Sequence, residues 1–448
     1  MLSKILNFFY DISSIPHPTY KEEKLANYVF NVAKNLNLEC KKDKFNNVYI
    51  KKTVDKNKPY TVLHSHLDMV CVKDPNYNIN FETDGLKLIN KNNYLTAYKT
   101  SLGADNGIGV AIILALLTNE NHNMEVIFTT DEECTTTGAT NFDYSQVTGK
   151  NLISLDGFKL NEVIIGCASV CDMKINLNCK YSSCNEKGFN LSISGLKGGH
   201  SGGDIAKKIG NSIKIATEIL KHFKDIKLSK FNAGEQFNFI PNEAQIDFTT
   251  SNITNFDNIV KQIKETYPSV KIKLKPKQIK NCLDIKQSKN IISLLDSLPS
   301  GVINKKSKII QLSQNISAID LDKSIIKINQ RGTNLSLENK NIENISFLCK
   351  KFNFDFSIYD KLCGFETNRK SQLVNTLCNL SLKTNNIKLK KVVKHISLEC
   401  SIFQEKLPDS NIVAISPKID YAHSTSERVY LPSITQCYNL VKNYLETV

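Results

Sequence analysis

Thr61-Val62-Leu63-His64-Ser65-His66-Leu67-Asp68 is an apolar run that ends in a histidine and an aspartate. The β-branched and aliphatic residues Thr61–Leu63 predict a buried strand, so His66 and Asp68 fall at its carboxyl end. The same pattern recurs along the chain. Glu125–Thr129 predicts a strand and is followed by Asp131-Glu132-Glu133; Asn151–Ser154 predicts another and is followed by Leu155-Asp156. Gly103-Ala104-Asp105-Asn106-Gly107 precedes an apolar run, Gly107–Thr118, read as a buried helix, and Ala422-His423-Ser424 lies near the C-terminus. Short interior strands alternating with helices predict an α/β sheet covered on both faces. In such sheets ligands collect beyond the carboxyl ends of the strands, where His66, Asp131 to Glu133 and Asp156 all fall.

Working outward, Thr19 and Glu22 read as a capping box ahead of a helix with the face Leu25, Tyr28, Val29, Val32 and Leu36. After Cys167 the texture changes. Strands are expected at Asp172–Leu177 and Asn190–Ser194, a helix at Asp204–Phe223, and strand-helix-strand units at Gln245–Leu274 and Ser324–Tyr359. This is the pattern of an α+β domain of two related halves inserted into the first. The chain returns to the first domain with a helix near Ser371–Leu382. The resulting division is residues 1–168 and 372–448 in one domain and 169–371 in the other.

Length and composition agree with two domains. At 448 residues the chain exceeds what one core sustains, and 41% hydrophobic with 23% charged residues is ordinary for a globular protein. No apolar run reaches the roughly 20 residues of a membrane-spanning helix. Asp11 interrupts the opening segment, which lacks a small-residue cleavage site, so a cytoplasmic protein is expected. Thirteen scattered cysteines without a CxxC pair predict reduced thiols. The net charge of +14 raises a nucleic-acid partner, but the lysines are spread along the chain. Their concentrations at 271–280, 305–308 and 388–391 lack interleaved aromatics or a nucleic-acid motif, so neither nucleic acid nor membrane is expected as a partner.

Imidazole and carboxylate are the ligands of zinc and its neighbours. Asp68 can turn back to hold the tautomer of His66. Asp105, in a glycine-flanked turn, can present one carboxylate between two ions. The adjacent Glu132 and Glu133 can point different ways, one to a metal and one to a water, with Asp156 and His423 completing the set. Any one of these clusters alone reads as a turn, a helix N-cap or a solvated acidic loop. Five of them in order, each at a predicted element end, point to a two-metal hydrolase.

The phrases Leu63 to Cys71, Thr100 to Gly109, Thr130 to Ala139, Gly195 to Gly202 (Gly-Leu-Lys-Gly-Gly-His-Ser-Gly) and His423-Ser424 through Glu427-Arg428 resemble the aminoacyl-histidine (Xaa-His) dipeptidases. These form a cytosolic, carnosinase-like branch of the di-zinc peptidases, and the resemblance runs over essentially the whole chain. It implies a catalytic domain with a mixed sheet covered by helices, plus an inserted α+β lid that mediates homodimerisation. It implies two Zn2+ ions bridged by Asp105, with His66 and Asp156 on one and Glu133 and His423 on the other. It further implies Glu132 as the general base acting on the shared water, Asp68 as the carboxylate behind His66, and His200 as the oxyanion donor. Asn238 and Arg331 are implied in substrate binding, where an Arg fork suits a peptide carboxylate. The chain departs from the family pattern at Gly157-Phe158, at Ser397 and Ser401, near Gly364, and at Asn242, all around the implied pocket. The expected activity is therefore hydrolysis of short peptides, foremost Xaa-His dipeptides. The alternatives are a related di-zinc hydrolase of other short peptides or N-acyl amino acids, or an inactive basic binding protein.

Overall fold

The computed structural model describes residues 1–448 and divides into two compact units. Unit 1 comprises Met1–Cys167, Phe365–Lys394 and Leu398–Val448; unit 2 comprises Ala168–Gly364 and His395–Ser397. No helix is long and apolar enough to cross a membrane.

Unit 1 opens with helices α1 (Leu2–Ser14) and α2 (Glu23–Asn35), then strands β1 (Glu39–Lys42), β2 (Val48–Lys52) and β3 (Thr61–His66). A hairpin of β4 (Leu88–Lys91) and β5 (Tyr94–Ala97) leads to α3 (Ala104–Asn119), β6 (Met124–Thr129), the short α4 (Thr137–Asn141), β7 (Asn151–Ser154) and β8 (Glu162–Cys167). The predicted capping box at the start of α2 does not form. The Thr19 hydroxyl instead donates to Asp68 Oδ2 at 2.9 Å. Glu22 Oε1 accepts from the main-chain N–H groups of Tyr20 and Asp131 at 2.8 and 3.2 Å. The carboxyl ends of β3 and β6 have claimed both side chains, a tertiary demand that outranks a local cap. Helix α3 is buried on every side from Ala104 to Leu117, as its unbroken run Gly-Ile-Gly-Val-Ala-Ile-Ile-Leu-Ala-Leu-Leu requires.

Unit 2 is built on an antiparallel nine-stranded sheet. Its elements are β9 (Ser169–Asn176), β10 (Ser182–Ser194), β11 (Gly199–His200), α5 (Ser212–Leu220), β12 (Lys227–Ala233), β13 (Phe239–Ile240), β14 (Ala244–Thr249), α6 (Phe256–Thr266), β15 (Lys271–Cys282), α7 (Ile285–Ser297), β16 (Gly301–Lys306), β17 (Ile309–Asp320), β18 (Ile325–Gly332), α8 (Leu335–Phe352) and β19 (Asp355–Leu362). The order is β15-β10-β14-β12-β17-β18-β9-β19, with β16 on β17 and the pair β11-β13 apart from it. The helix expected at Asp204–Phe223 is shorter than its pattern. Gly210 takes φ +78, and α5 begins only at Ser212, where the Asn211 side chain caps the N–H groups of Ile213 and Lys214. Residues 201–210 instead form a turn and irregular loop that follow the glycine-rich histidine motif. Helix α7 and the β16-β17 hairpin lie in a stretch where no element was expected.

Back in unit 1, β20 (Phe365–Glu366), α9 (Gln372–Asn385), β21 (Lys390–Lys394), α10 (Cys400–Lys406), β22 (Asn411–Ala414), β23 (Ile419–Asp420), β24 (Arg428–Tyr430) and α11 (Leu431–Leu445) complete the chain. The main sheet runs β1-β2-β6-β3-β7-β22-β8-β20, with β21 on β8. At its centre β6, β3, β7 and β22 are mutually parallel, so their carboxyl ends face one way. The fold is thus mixed α/β in unit 1 and α+β in unit 2. Ile112, fully buried in α3, tests how much of unit 1 this helix holds together. Ile112→Ala should cost about 2–5 kcal/mol in chemical denaturation, the range for a large-to-small change in a packed core.

Candidate metal centre

The parallel register brings the predicted residues of unit 1 to one edge of the sheet. His66 is the last residue of β3 and sits opposite Thr129, the last of β6; His64 sits opposite Ser154, the last of β7. One ligand atom from each of His66, Asp105 and Glu133 lies within 4.8 Å of the others, a group able to hold a metal ion. His66 Nε2 is 3.4 Å from Asp105 Oδ1, while His423 Nε2 lies 3.1 Å from Asp105 Oδ2 and 2.8 Å from Glu133 Oε1. One carboxylate therefore faces an imidazole with each of its oxygens.

The turns that hold these groups are stabilised by neighbouring carboxylates. Asp68 accepts the main-chain N–H of Glu132 on Oδ1 (3.0 Å) and that of Glu133 on Oδ2 (3.1 Å), fixing the acidic turn. The His66 Nδ1 bond runs to the Asp68 main-chain carbonyl at 3.0 Å, and the Asp68 carboxylate stands at 3.5 Å. Asp68 thus sets the tautomer through its backbone and the acidic turn through its side chain. Glu427, which the sequence reading placed only within a longer phrase, clamps the other turn. Its carboxyl oxygens accept from the N–H groups of Leu102 (2.7 Å), Gly103 (3.0 Å) and Asp105 (3.2 Å). Gly103 takes φ +67 in that turn, a conformation that suits glycine.

The electrostatics describe a site short of positive charge. Burial pushes the carboxyl of Glu132 well up, and the charges of Glu133 and Asp156 push it further, against the pull of His66. Burial likewise raises Glu133, and raises Asp156 to about 7 with help from the Asp105 charge. Burial alone would strip the proton from His66 and His423. The carboxylates of Asp105 with Asp68, and of Asp105 with Glu133, outweigh it, so His66 is raised well above its usual range and His423 to about 11. His66 faces oxygen acceptors from both ring nitrogens, which a neutral imidazole cannot satisfy. A cation at Nε2 would take the proton's place, and the donor set of imidazoles and carboxylates fits a divalent ion of the zinc type.

His200, Asn238 and Arg331 lie together in unit 2. His200 Nδ1 accepts from the N–H groups of Gly202 (3.1 Å) and Gly203 (3.0 Å), which places the ring proton on Nε2 as a donor. Ser201 joins the loop to Asn238 through that residue's carbonyl (2.8 Å) and to Asn329 through its hydroxyl (2.7 Å). Arg331 Nε donates to Ser201 Oγ at 3.3 Å and Asn329 Oδ1 at 3.2 Å. His395, absent from the sequence reading, belongs here too. It bonds Ser313, the cross-strand partner of Arg331, at 2.7 Å, and burial together with the charge of Arg331 pushes it down to about 4. A Cβ on Gly202 would stand 2.4 Å from the His395 carbonyl and 3.1 Å from Arg331. The glycine is what lets these segments meet.

Comparison with known proteins places this geometry in context. The chain is 29% identical to the cytosol non-specific dipeptidase of Escherichia coli (strain K12), an alignment covering 99% of this chain and 97% of that one. Among solved structures it superposes on the aminoacylhistidine dipeptidase from Vibrio alginolyticus with a TM-score of 0.84 at 26% identity, covering 100% of this chain and 96% of that one. It shares the fold of a tripeptidase from Staphylococcus aureus subsp. aureus mu50, with a TM-score of 0.60 at 15% identity and 100% and 98% coverage. The model of the peptidase family M20/M25/M40 matches residues 62–447. With that match spanning most of its length and taking in all five clusters of the site, the chain belongs to the peptidase family M20/M25/M40 and is a hydrolase of peptide bonds.

Proposed function

We propose that this protein is a cytosolic, metal-dependent dipeptidase that cleaves unblocked dipeptides, with Xaa-His peptides the preferred class. The observation that carries the reading is the convergence of two imidazoles, His66 and His423, on the opposite oxygens of Asp105. The names of the Escherichia coli and Vibrio alginolyticus relatives support the substrate class.

In this reading two divalent cations, most naturally Zn2+, would be held by Asp105 shared between them, with His66 and Asp156 serving one and Glu133 and His423 the other. The ions would supply polarisation of the scissile carbonyl and acidification of a water. Glu132 takes the proton from that water and delivers it to the leaving amine. A carboxyl whose proton affinity is raised by burial and by neighbouring charge is suited to that exchange near neutral pH. His200, with its proton on Nε2, donates to the carbonyl oxygen as charge develops there. Arg331 receives the peptide carboxylate and Asn238 borders the same pocket. Unit 2 serves as a lid and as the dimerisation domain of a homodimer. A second reading, hydrolysis of other short peptides or N-acyl amino acids, is favoured by the departures at Gly157-Phe158, Asn242, Ser397 and Ser401.

A hydrolysis screen over unblocked dipeptides, tripeptides and N-acyl amino acids, with and without chelator, decides between the two. Chelator-sensitive turnover of free dipeptides, Xaa-His among the best, is expected. Cleavage confined to N-acyl amino acids sinks the dipeptidase reading, and turnover indifferent to chelator sinks the metal.

Asp105→Ala should lose bound metal and activity together, measured by elemental analysis beside the assay. Glu132→Gln should keep its metal while turnover falls by roughly two orders of magnitude or more. Glu133→Gln should lose metal, and the opposite pattern would exchange the two roles. For His200→Ala, steady-state kinetics should show a loss of about 10²–10³ in kcat with KM and metal content little changed, the scale of one oxyanion donor.

A further inference from the structure

Beneath the metal ligands runs a buried chain of hydrogen bonds with a single direction. The Asp156 main-chain N–H donates to Ser154 Oγ at 3.3 Å, and Ser154 Oγ lies 2.9 Å from His64 Nδ1. His64 Nε2 lies 3.0 Å from Glu399 Oε2 and 3.0 Å from Thr129 Oγ1. Thr129 Oγ1 in turn donates to the same Glu399 oxygen at 2.6 Å. A carboxylate oxygen only accepts, so His64 carries its proton on Nε2, and Nδ1 accepts the hydrogen bond that the Ser154 hydroxyl donates. Burial lowers the proton affinity of this imidazole, against the pull of Glu399. All four side chains are fully buried or nearly so, and Phe403 packs edge-on against the His64 ring.

The position of the chain gives it its consequence. His64 is two residues before His66 on β3 and on the same side of the strand. Thr129 ends β6 and leads into Asp131-Glu132-Glu133; Ser154 ends β7 and leads to Asp156. Glu399 touches β3 at His64 and β6 at Thr129 directly, and β7 through His64. Its other oxygen, Oε1, is buried with no hydrogen-bond partner, and its charge is felt at both Glu132 and Asp156. A buried polar group left half-satisfied carries a desolvation cost that a purely structural cross-link could shed by using an apolar residue.

We propose that Glu399 is a positioning residue for the metal site: through His64, Thr129 and Ser154 it holds the ends of β3, β6 and β7 in the register that presents His66, Glu132 with Glu133, and Asp156. The inference rests on the two-metal reading of those residues. Partners behind metal ligands typically account for 10–100-fold in metal affinity.

The experiment is titration of the metal-free protein with Zn2+ by calorimetry, and with Co2+ by its visible absorption, beside thermal unfolding of the same samples. Glu399→Gln and His64→Leu should each weaken metal binding about 10–100-fold and alter the Co2+ spectrum. His64→Gln, which keeps a donor and an acceptor, should restore most of the affinity. Thr129→Val and Ser154→Ala, each removing one link, should give smaller losses and decide the matter if the first pair fails to fold. Folded variants that bind both ions like wild type, with stability alone reduced, would make the chain a structural cross-link and overturn the proposal. Wild-type protein that binds neither ion overturns the two-metal reading itself, and this inference with it.

Discussion

The constraint on which the structure depends is the concentration of carboxyl groups in one buried place. Asp105, Glu132, Glu133 and Asp156 meet there, and the positive charges that act on them most strongly are those of His66 and His423. Like charges in a low dielectric repel strongly, so in the metal-free protein protons must stay on several of these groups. A divalent cation relieves that repulsion more completely than protons do. Stability of the sheet edge and affinity for the ion are two views of the same interaction.

Holding such a cluster demands rigid supports, and the fold supplies them from its parallel centre. Five main-chain N–H groups of the two ligand-bearing turns are directed at the carboxylates of Asp68 and Glu427. Asp68 takes those of Glu132 and Glu133, and Glu427 takes those of Leu102, Gly103 and Asp105. The ligands are thereby fixed through their backbones, leaving side-chain oxygens for the cation. The apolar helix α3, which carries Asp105 at its start, anchors one turn in the core. Mutation of a supporting carboxylate should therefore be felt at the metal even though the side chain is not a ligand.

Much of this was legible in the sequence because the relevant signals are local. An apolar run that stops short of His66, Glu132 or Asp156 states both the strand and the end where its polar residues gather, and the structure draws His66, Asp105, Glu133 and His423 together. What escaped was non-local. Thr19 and Glu22 have the spacing of a capping box, but partners 49 and 109 residues away take their side chains. The periodic apolar residues of Asp204–Phe223 ignore the φ +78 at Gly210 that ends the turns before α5. Glu399, Glu427 and His395 sit in segments whose texture is that of ordinary loop, and only pairing across 270, 325 and 82 residues gives them meaning.

The strands themselves carry the polarity of the site. In β3 the order is Thr-Val-Leu-His-Ser-His, in β6 Met-Glu-Val-Ile-Phe-Thr and in β7 Asn-Leu-Ile-Ser: the middle is apolar and the last residues can bond. Within a fully covered sheet, a histidine, threonine or serine at such a position must find a buried partner or destabilise the core. His64, Thr129 and Ser154 find one another and Glu399, so the polar ends of three strands pay for their own burial by locking together. A parallel sheet turns that lock into a platform, because strands running the same way bring all their polar ends to one edge. That edge is where His66 and the residues after Thr129 and Ser154 emerge, which is why the support and the site it supports were encoded in the same short stretches of sequence.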